Sequence, residues 1–325
     1  NYYSVYPPIS QYVFASCSFL AEYDLFKNVF YLRIFLLCFE IIGWYFMIKI
    51  LTYYNLDNLK SMIYILNPLV VLELTGNLHF EGITFTCLII SFYLLIVKKY
   101  VLSAIVYSVG ICLKLIPILF LPLLLYKIGV KKSIVFLTTM ILSSLLFFAP
   151  FMGVNLFNTF FESIQLYFNT FEFNASIYYI FRWIGTLFTG YNQIGAIGSV
   201  TPFITLLAML VITFNSRKTT MNVPSLMKNM SWVLLIYFSV ASIVHPWYIV
   251  YFIGFSVFTG YVFPIVWGGV VFLSYWSYRE TGIVEENLFL VFIEYFIVLI
   301  AVIFDLKQKT INSFFLKGES LKLPT

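Results

Sequence analysis

The chain has 325 residues, of which 62% are hydrophobic and only 10% charged, with 37 Phe and 25 Tyr. A soluble domain has no way to hide so much apolar surface, so its main solvent is lipid. The net charge of +5 is no mark of nucleic-acid affinity, because Lys and Arg sit in short loops between apolar runs, where they report topology.

In chain order, the opening residues Asn1 to Tyr6 read as the end of a polar loop, with no initiator Met and no signal peptide. The expectation is that a transmembrane helix and a first outer loop precede them. Apolar runs at 30–50, 83–97, 133–151 and 288–304 approach the length of a bilayer crossing. Further ones lie at 62–74, 194–214, 230–244, 249–259 and 263–276. Period-2 alternation with frequent turn signals, the mark of a membrane barrel, is absent. The expected fold is all-α: a polytopic transmembrane helical protein of about ten membrane segments, forming a single domain over residues 1–325. Cys17, Cys38, Cys87 and Cys112 lie inside apolar runs and read as small core residues rather than as disulfides or metal ligands. No metal motif, Gly-rich phosphate loop or GxSxG is present.

Positive charge clusters at Lys98-Lys99, at Lys127 with Lys131 and Lys132, at Arg217, Lys218 and Lys228, and in the tail at Lys307, Lys309, Lys317 and Lys322. If all four clusters face the cytoplasm, the number of crossings between neighbours is even. The stretch YVLSAIVYSVGICLKLIPILFLPLLLY is then no single span. Pro117 and the preceding Lys114 divide it into a broken helical hairpin with Lys114 near its apex. The same rule makes 152–193 one large external loop of about forty residues, far above ordinary connection lengths. It also puts NLHFEG (77–82), His245 and the acidic RETGIVEE outside. Polar and titratable groups therefore converge on one side of the membrane.

A charge at mid-bilayer depth costs a few kcal/mol unless paired or hydrated. Lys114, flanked by Leu, therefore calls for an anionic partner, and a phosphate suits an ammonium well. Glu81 reads either as a base or sugar-binding carboxylate or as a carboxylate favoured at a helix N-terminus. His79 reads as a proton acceptor or a hydrated interfacial ring, with Glu73 a further carboxylate within reach. His245-Pro246-Trp247-Tyr248 reads as ligand contact or girdle turn. Arg182 beside Trp183 holds a phosphate or anchors at headgroups. Asn174-Ala175-Ser176 matches the glycosylation sequon, and its aromatic flanks in FEFNASIYY also suit a sugar.

Taken together, VYPPISQYVFA, ILNPLVVLELTGNLHFEG, LIVKKYVLSAIVYSVGICLKLIPILFLPLLL, FEFNASIYY, HPWYIVYF and the late EYFIV resemble the GT-C fold glycosyltransferases that use polyprenyl-phosphate sugars. The resemblance is to bacterial polyprenol-phosphate-mannose-dependent mannosyltransferases and, more distantly, to the enzyme adding the first mannose to the GPI anchor. It covers nearly the whole chain through short, degenerate motifs in a matching order. It implies inverting transfer of a sugar, mannose for choice, from a lipid-linked donor to a glycan or glycolipid acceptor. The implied location is a bacterial plasma membrane, with the active site on the extracytoplasmic face.

The resemblance further implies a catalytic carboxylate on an outer loop upstream of Asn1, which leaves the base unassigned here. It gives Lys114, with His245 and Arg182, to the donor phosphate, and leaves Tyr6, Asn77, His79, Glu81 and Asn174 for sugar or acceptor. A transporter, flippase or polymerase of surface polysaccharide is the competing reading. It lacks support from any visible inverted repeat.

Overall fold

The computed structural model describes residues 6–153, 162–163, 170–216, 222–279 and 285–319, with side chains in the last stretch up to 308. Among the described residues helix is the regular element, apart from an isolated bridge between Phe173 and Ile243. Much of the first half of the expected external loop, Arg217 and Lys218, most of RETGIVEE, the side chains of Lys309 and Lys317, and Lys322 lie outside the described residues.

Helix α1 (Pro8–Leu20) starts on a proline, whose missing N–H costs nothing in a first turn. Helix α2 (Leu25–Tyr53) is capped by Asp24, which accepts from the Lys27 amide at 2.8 Å, and its 29 residues reach roughly 43 Å. Asn67-Pro68 then breaks the next run. The helical stretches Asn58–Ile65 and Pro68–Gly76 meet at 50°, and the Asn67 carboxamide caps the second at the Leu69 amide. Its last turn, Val71–Gly76, widens into a π-helix.

Helices α3 (Glu81–Ile96) and α4 (Tyr100–Leu113) pack against each other through Ser91 and Ser103. Their hydroxyls lie 2.8 Å apart, and each also donates to the other residue's carbonyl. Such exchanges hold helices together where lipid gives no hydrophobic drive.

After α4 the chain extends at Lys114 (φ −149°, ψ 142°), passes a 3-10 turn (Ile116–Phe120) and enters α5 (Leu121–Ile128). The helix break expected at Lys114 and Pro117 is present. The Tyr107 hydroxyl donates to the Pro117 carbonyl at 2.6 Å, so the chain turns back on its own helix. Helix α6 (Val130–Phe148) follows Gly129, whose φ of +81° suits a residue without Cβ.

Helix α7 (Ile177–Thr189), an amphipathic helix, occupies the second half of the expected external loop and ends at Gly190 (φ +78°). Then come α8 (Ile194–Asn215), α9 (Val223–Val240) and α10 (Val250–Thr259). Helix α11 (Phe263–Val270) is followed by a 3-10 stretch, Val271–Tyr278, and α12 (Leu288–Glu319) closes the described chain. Asp305 of α12 caps α11, its carboxylate accepting from the Val262 and Phe263 amides at 2.9 Å.

Helices α3 and α10 are buried nearly all round and form the centre. Close packing on α3 depends on Gly43 of α2, whose Cβ would meet Thr86, and on Gly254 of α10, whose Cβ would meet the Phe85 ring. The outer helices turn Phe, Leu and Ile outward, with Phe203, Leu207 and Phe214 of α8 all largely exposed. In the most apolar stretch of Val130–Phe151 only 11% is buried. An apolar rim of this kind is a lipid-facing surface, so the protein is a helical membrane protein.

Among the described residues four helices, 25–53, 130–151, 194–215 and 288–308, are long and apolar enough to cross a bilayer, or five if the bent pair counts as one span. Helix length therefore does not support the expected count of about ten segments. The expected spans at 62–74 and 263–276 are a kinked pair and an eight-residue helix with a 3-10 extension.

Candidate active site

The site grows from the ends of the central helices. Glu81, the first residue of α3, is fully buried, and its Oε1 lies 2.8 Å from Nζ of Lys114 at the break after α4. A carboxylate this deep is tolerable because the ammonium meets it. The break is itself held in place, since the Ser10 hydroxyl of α1 donates to the Leu113 carbonyl at 2.9 Å. The Lys114 ammonium also lies over the Tyr6 ring, 4.8 Å from its centroid, in cation–π range. Tyr6 in turn packs edge-on to Phe14.

The π turn supplies a second carboxylate. Glu73, almost fully buried, accepts from the Tyr275 hydroxyl at 2.5 Å and from the Asn77 carboxamide at 3.2 Å. Its Oε2 lies 3.6 Å from Nε2 of His79. Arg33 of α2 fixes the end of that turn by donating to the Thr75 and Gly76 carbonyls at 3.0 and 3.2 Å. Between turn and helix, Leu78 adopts φ +63°, a left-handed conformation uncommon for a residue with a side chain. That geometry lets four residues carry the chain from Gly76 to Glu81.

From the other half of the chain comes HPWY. The His79 and Trp247 rings stack at 3.8 Å and 20°, and the His245 and Trp247 rings at 4.2 Å and 17°. His245 is buried, and its Nδ1 finds no partner among the described residues. Burial pushes the His79 imidazole down to about 4, with nearby Glu81 pulling up and Lys114 pushing down. Burial, then Lys114, then His79 push His245 down to about 3. Both rings are thus neutral at pH 7, able to accept protons or hydrogen bonds.

Tyr6, Asn77, His79, Glu81, Lys114 and His245 all belong to this cluster. Two expected members are engaged elsewhere. Arg182 pairs with Glu172 at 2.5 Å and lies over the Tyr179 ring. Asn174 is fully buried. Its amide N–H donates to Glu286, its carboxamide to Glu294 Oε1 at 3.1 Å, and its carbonyl accepts from Tyr295 at 2.6 Å. Trp267 donates to the same Glu294 oxygen at 2.9 Å. This knot ties segment 170–176 to α12, and the bridge at Phe173 ties it to 242–244. The Phe173 ring then comes 4.9 Å from His245. Asn174 thus supports a wall of the site.

Sequence reasoning did not assign Tyr275 or Glu40. Tyr275 lies 202 positions from Glu73, and no local signal points to it. Glu40 of α2 is a buried carboxylate inside an apolar run, which is a signal in itself. It packs so tightly on Gly82 that a Cβ there would collide with its Oε1. It faces Tyr64, which neighbours Tyr251, which neighbours Glu81.

Fold and site together define a class: a polytopic membrane protein whose central helices end in a charged, aromatic-walled cluster able to hold an anion beside neutral imidazoles. Residues 1–128 match the family model described as Alpha-(1->6)-mannopyranosyltransferase, N-terminal domain, of the MptA_B family. That stretch contains Tyr6, Glu73, Asn77, His79, Glu81 and Lys114, so most of the cluster falls inside it. The match bears out the resemblance to bacterial mannosyltransferases of GT-C type, and the protein is a membrane glycosyltransferase. No curated protein matches the chain.

Proposed function

We propose that this mannosyltransferase takes its sugar from a polyprenyl-phosphate donor and passes it, with inversion, to a glycan or lipid acceptor on the extracytoplasmic face of a bacterial plasma membrane. The observation that carries this reading is the half-buried Lys114 ammonium, 2.8 Å from the fully buried Glu81 at a helix break and near two neutral imidazoles. The chemistry asks little of the protein. Polyprenyl phosphate is a good leaving group, so no acid is needed to protonate it, unlike the leaving oxygen of a glycoside hydrolase. A cation for the departing phosphate and an acceptor for the hydroxyl proton suffice.

In this reading Lys114 meets the phosphate as negative charge grows on it. Glu81 keeps the ammonium aimed and takes hydrogen bonds from sugar hydroxyls with its second oxygen, which has no hydrogen-bond donor among the described residues. Tyr6 supplies aromatic surface for the apolar side of a sugar, while Trp247, stacked on both imidazoles, holds them in place. His245 lines the same anion region, and Arg182 is held by Glu172 away from it.

The test is transfer of labelled mannose from synthetic polyprenyl-phosphate mannose by membranes containing the full-length protein. Lys114→Ala alone strands the buried Glu81 carboxylate, which costs about 3–5 kcal/mol. Lys114→Met in a Glu81→Gln background avoids that cost and keeps the volume. Loss of transfer by the double variant, with Glu81→Gln alone still active, supports the phosphate role. Equal activity of the two removes it.

A further inference from the structure

A groove of about 720 Å³ runs between α7, α9 and α12, and no step of the transfer chemistry uses it. Its lining along α12 extends from Leu288 to Val302, a rise of roughly 21 Å in a helix. That exceeds the roughly 15 Å depth of one leaflet's hydrocarbon, so the groove has room for a whole lipid chain. Ile180, Leu235, Phe292 and Leu299 give it an apolar lining, and Phe292 and Leu299 are exposed on the lipid-facing side. Polar groups along it are already bonded within the protein. The Ser176 hydroxyl donates to the Ser239 carbonyl, Ser239 to the Leu235 carbonyl, Tyr295 to the Asn174 carbonyl and Trp267 to Glu294. A surface that asks for no further hydrogen bonds suits hydrocarbon.

One end of the groove is charged. Tyr179 and Trp183 line it, and the guanidinium of Arg182 lies 4.5 Å from the centre of the Tyr179 ring. Its Nη1 donates to Glu172, and a guanidinium has further N–H groups to offer an anion. Glu286, just before Leu288, accepts from the Asn174 amide and stands close enough to Glu172 for their charges to repel. The Tyr179 hydroxyl is buried there with no partner among the described residues, which marks a place where a further group belongs. This end therefore offers one cation and two carboxylates.

We propose that the groove is a lipid site separate from the sugar-transfer cluster. It holds one acyl chain of a zwitterionic, amine-bearing phospholipid, with the phosphate on Arg182 and the ammonium facing Glu172 and Glu286. An end of mixed sign suits a head that carries both charges, whereas a purely anionic head gains one attraction and meets two repulsions. The chain of the sugar donor fits less well. In the reading above its phosphate rests at Lys114, across the Phe173–Asn174 wall, and it has no amine for the carboxylates. A filled groove keeps α7 against α12 and steadies segment 170–176, whose Phe173 ring lies 4.9 Å from His245.

The test uses the full-length protein, purified in detergent and stripped of lipid. Its thermal unfolding midpoint is followed as phosphatidylethanolamine, phosphatidylglycerol with the same acyl chains, or polyprenyl phosphate is added. Phosphatidylethanolamine is expected to act at roughly fivefold lower concentration than phosphatidylglycerol, the scale of one partly exposed ion pair. Leu299→Trp adds bulk to the groove from an exposed position and is expected to abolish the response to both phospholipids. Arg182→Gln with Glu172→Gln strands neither charge and is expected to make the two phospholipids equal.

Equal response of the wild type to both phospholipids overturns the proposal. So does a response untouched by Leu299→Trp, or a preference that survives the double variant. A midpoint raised by polyprenyl phosphate alone gives the groove to the donor's chain and overturns it as well. None of these readings depends on mannose transfer, so failure of the donor assay leaves the lipid site standing.

Discussion

The molecule buries carboxylates in two places, and they are built on opposite principles. In the knot at α12, donors surround Glu294 Oε1: Asn174 and Trp267 both bond to it, and Glu286 and Tyr295 hold the Asn174 backbone. No basic side chain takes part among those contacts. In the cluster at the start of α3, Glu81 meets an ammonium, and Glu73 meets neutral donors on one side and an imidazole on the other. Donors without titratable protons fix geometry. Lysine and histidine beside a carboxylate let charge and protons move. The first arrangement supports a wall, and the second can do chemistry on it.

Substitutions separate the two. The largest loss is expected at Lys114: Lys114→Met with Glu81→Gln drops transfer by at least roughly 100-fold relative to Glu81→Gln, as removal of one donor to a developing anion does elsewhere. Quantified mannose transfer checks it.

In the knot, Asn174→Ala removes one of the two donors to Glu294 Oε1, leaving Trp267, and costs about 1–3 kcal/mol of stability. Activity per folded molecule should fall far less than in the cluster variants. Thermal unfolding in detergent together with active-fraction measurement separates the effects.

Between the two regions in size stands Gly82→Ala, where the new Cβ meets the Glu40 carboxylate. Overpacking there costs about 1–3 kcal/mol, and the companion Glu40→Ala should recover part of it. A double-mutant cycle on unfolding midpoints measures the coupling.

The smallest effect is on pH dependence. His79 and His245 have folded values of about 4 and 3 against an ordinary 6.5, so between those values the unfolded chain binds more protons. Their contribution to stability is complete above about 6.5 and is lost as pH falls towards 4 and 3. Glu286, raised by burial, acts in the opposite direction. The measurement is therefore the difference in unfolding midpoint between wild type and His79→Gln/His245→Gln at pH 7.5 and pH 5. It should narrow at the lower pH as the wild type loses its histidine contribution.

The sequence made the membrane class legible because composition and long apolar runs survive any folding detail. It made the Lys114 break legible too, since Pro117 and a lysine inside an apolar run are local signals with local consequences. NLHFEG and HPWY were readable as candidate functional stretches. Their partnership was not, because stacking of His79 on Trp247 joins positions whose proximity depends on α3 packing against α10. The segment count was not legible either. Helix ends depend on kinks such as Asn67-Pro68 and on tertiary caps such as Asp305 on α11, which hydropathy does not register.

Arg182 and Asn174 illustrate the other limit. Both have the right chemistry for phosphate or sugar, and only the fold supplies the Glu172 and Glu294 that occupy them. What the sequence by itself determined was the solvent, the helical class, the break and a short set of polar residues with a mannosyltransferase's order. What the tertiary structure decided was which of those residues meet. Pairing of a buried charge is a matter of distance, and distance between remote positions is set by packing.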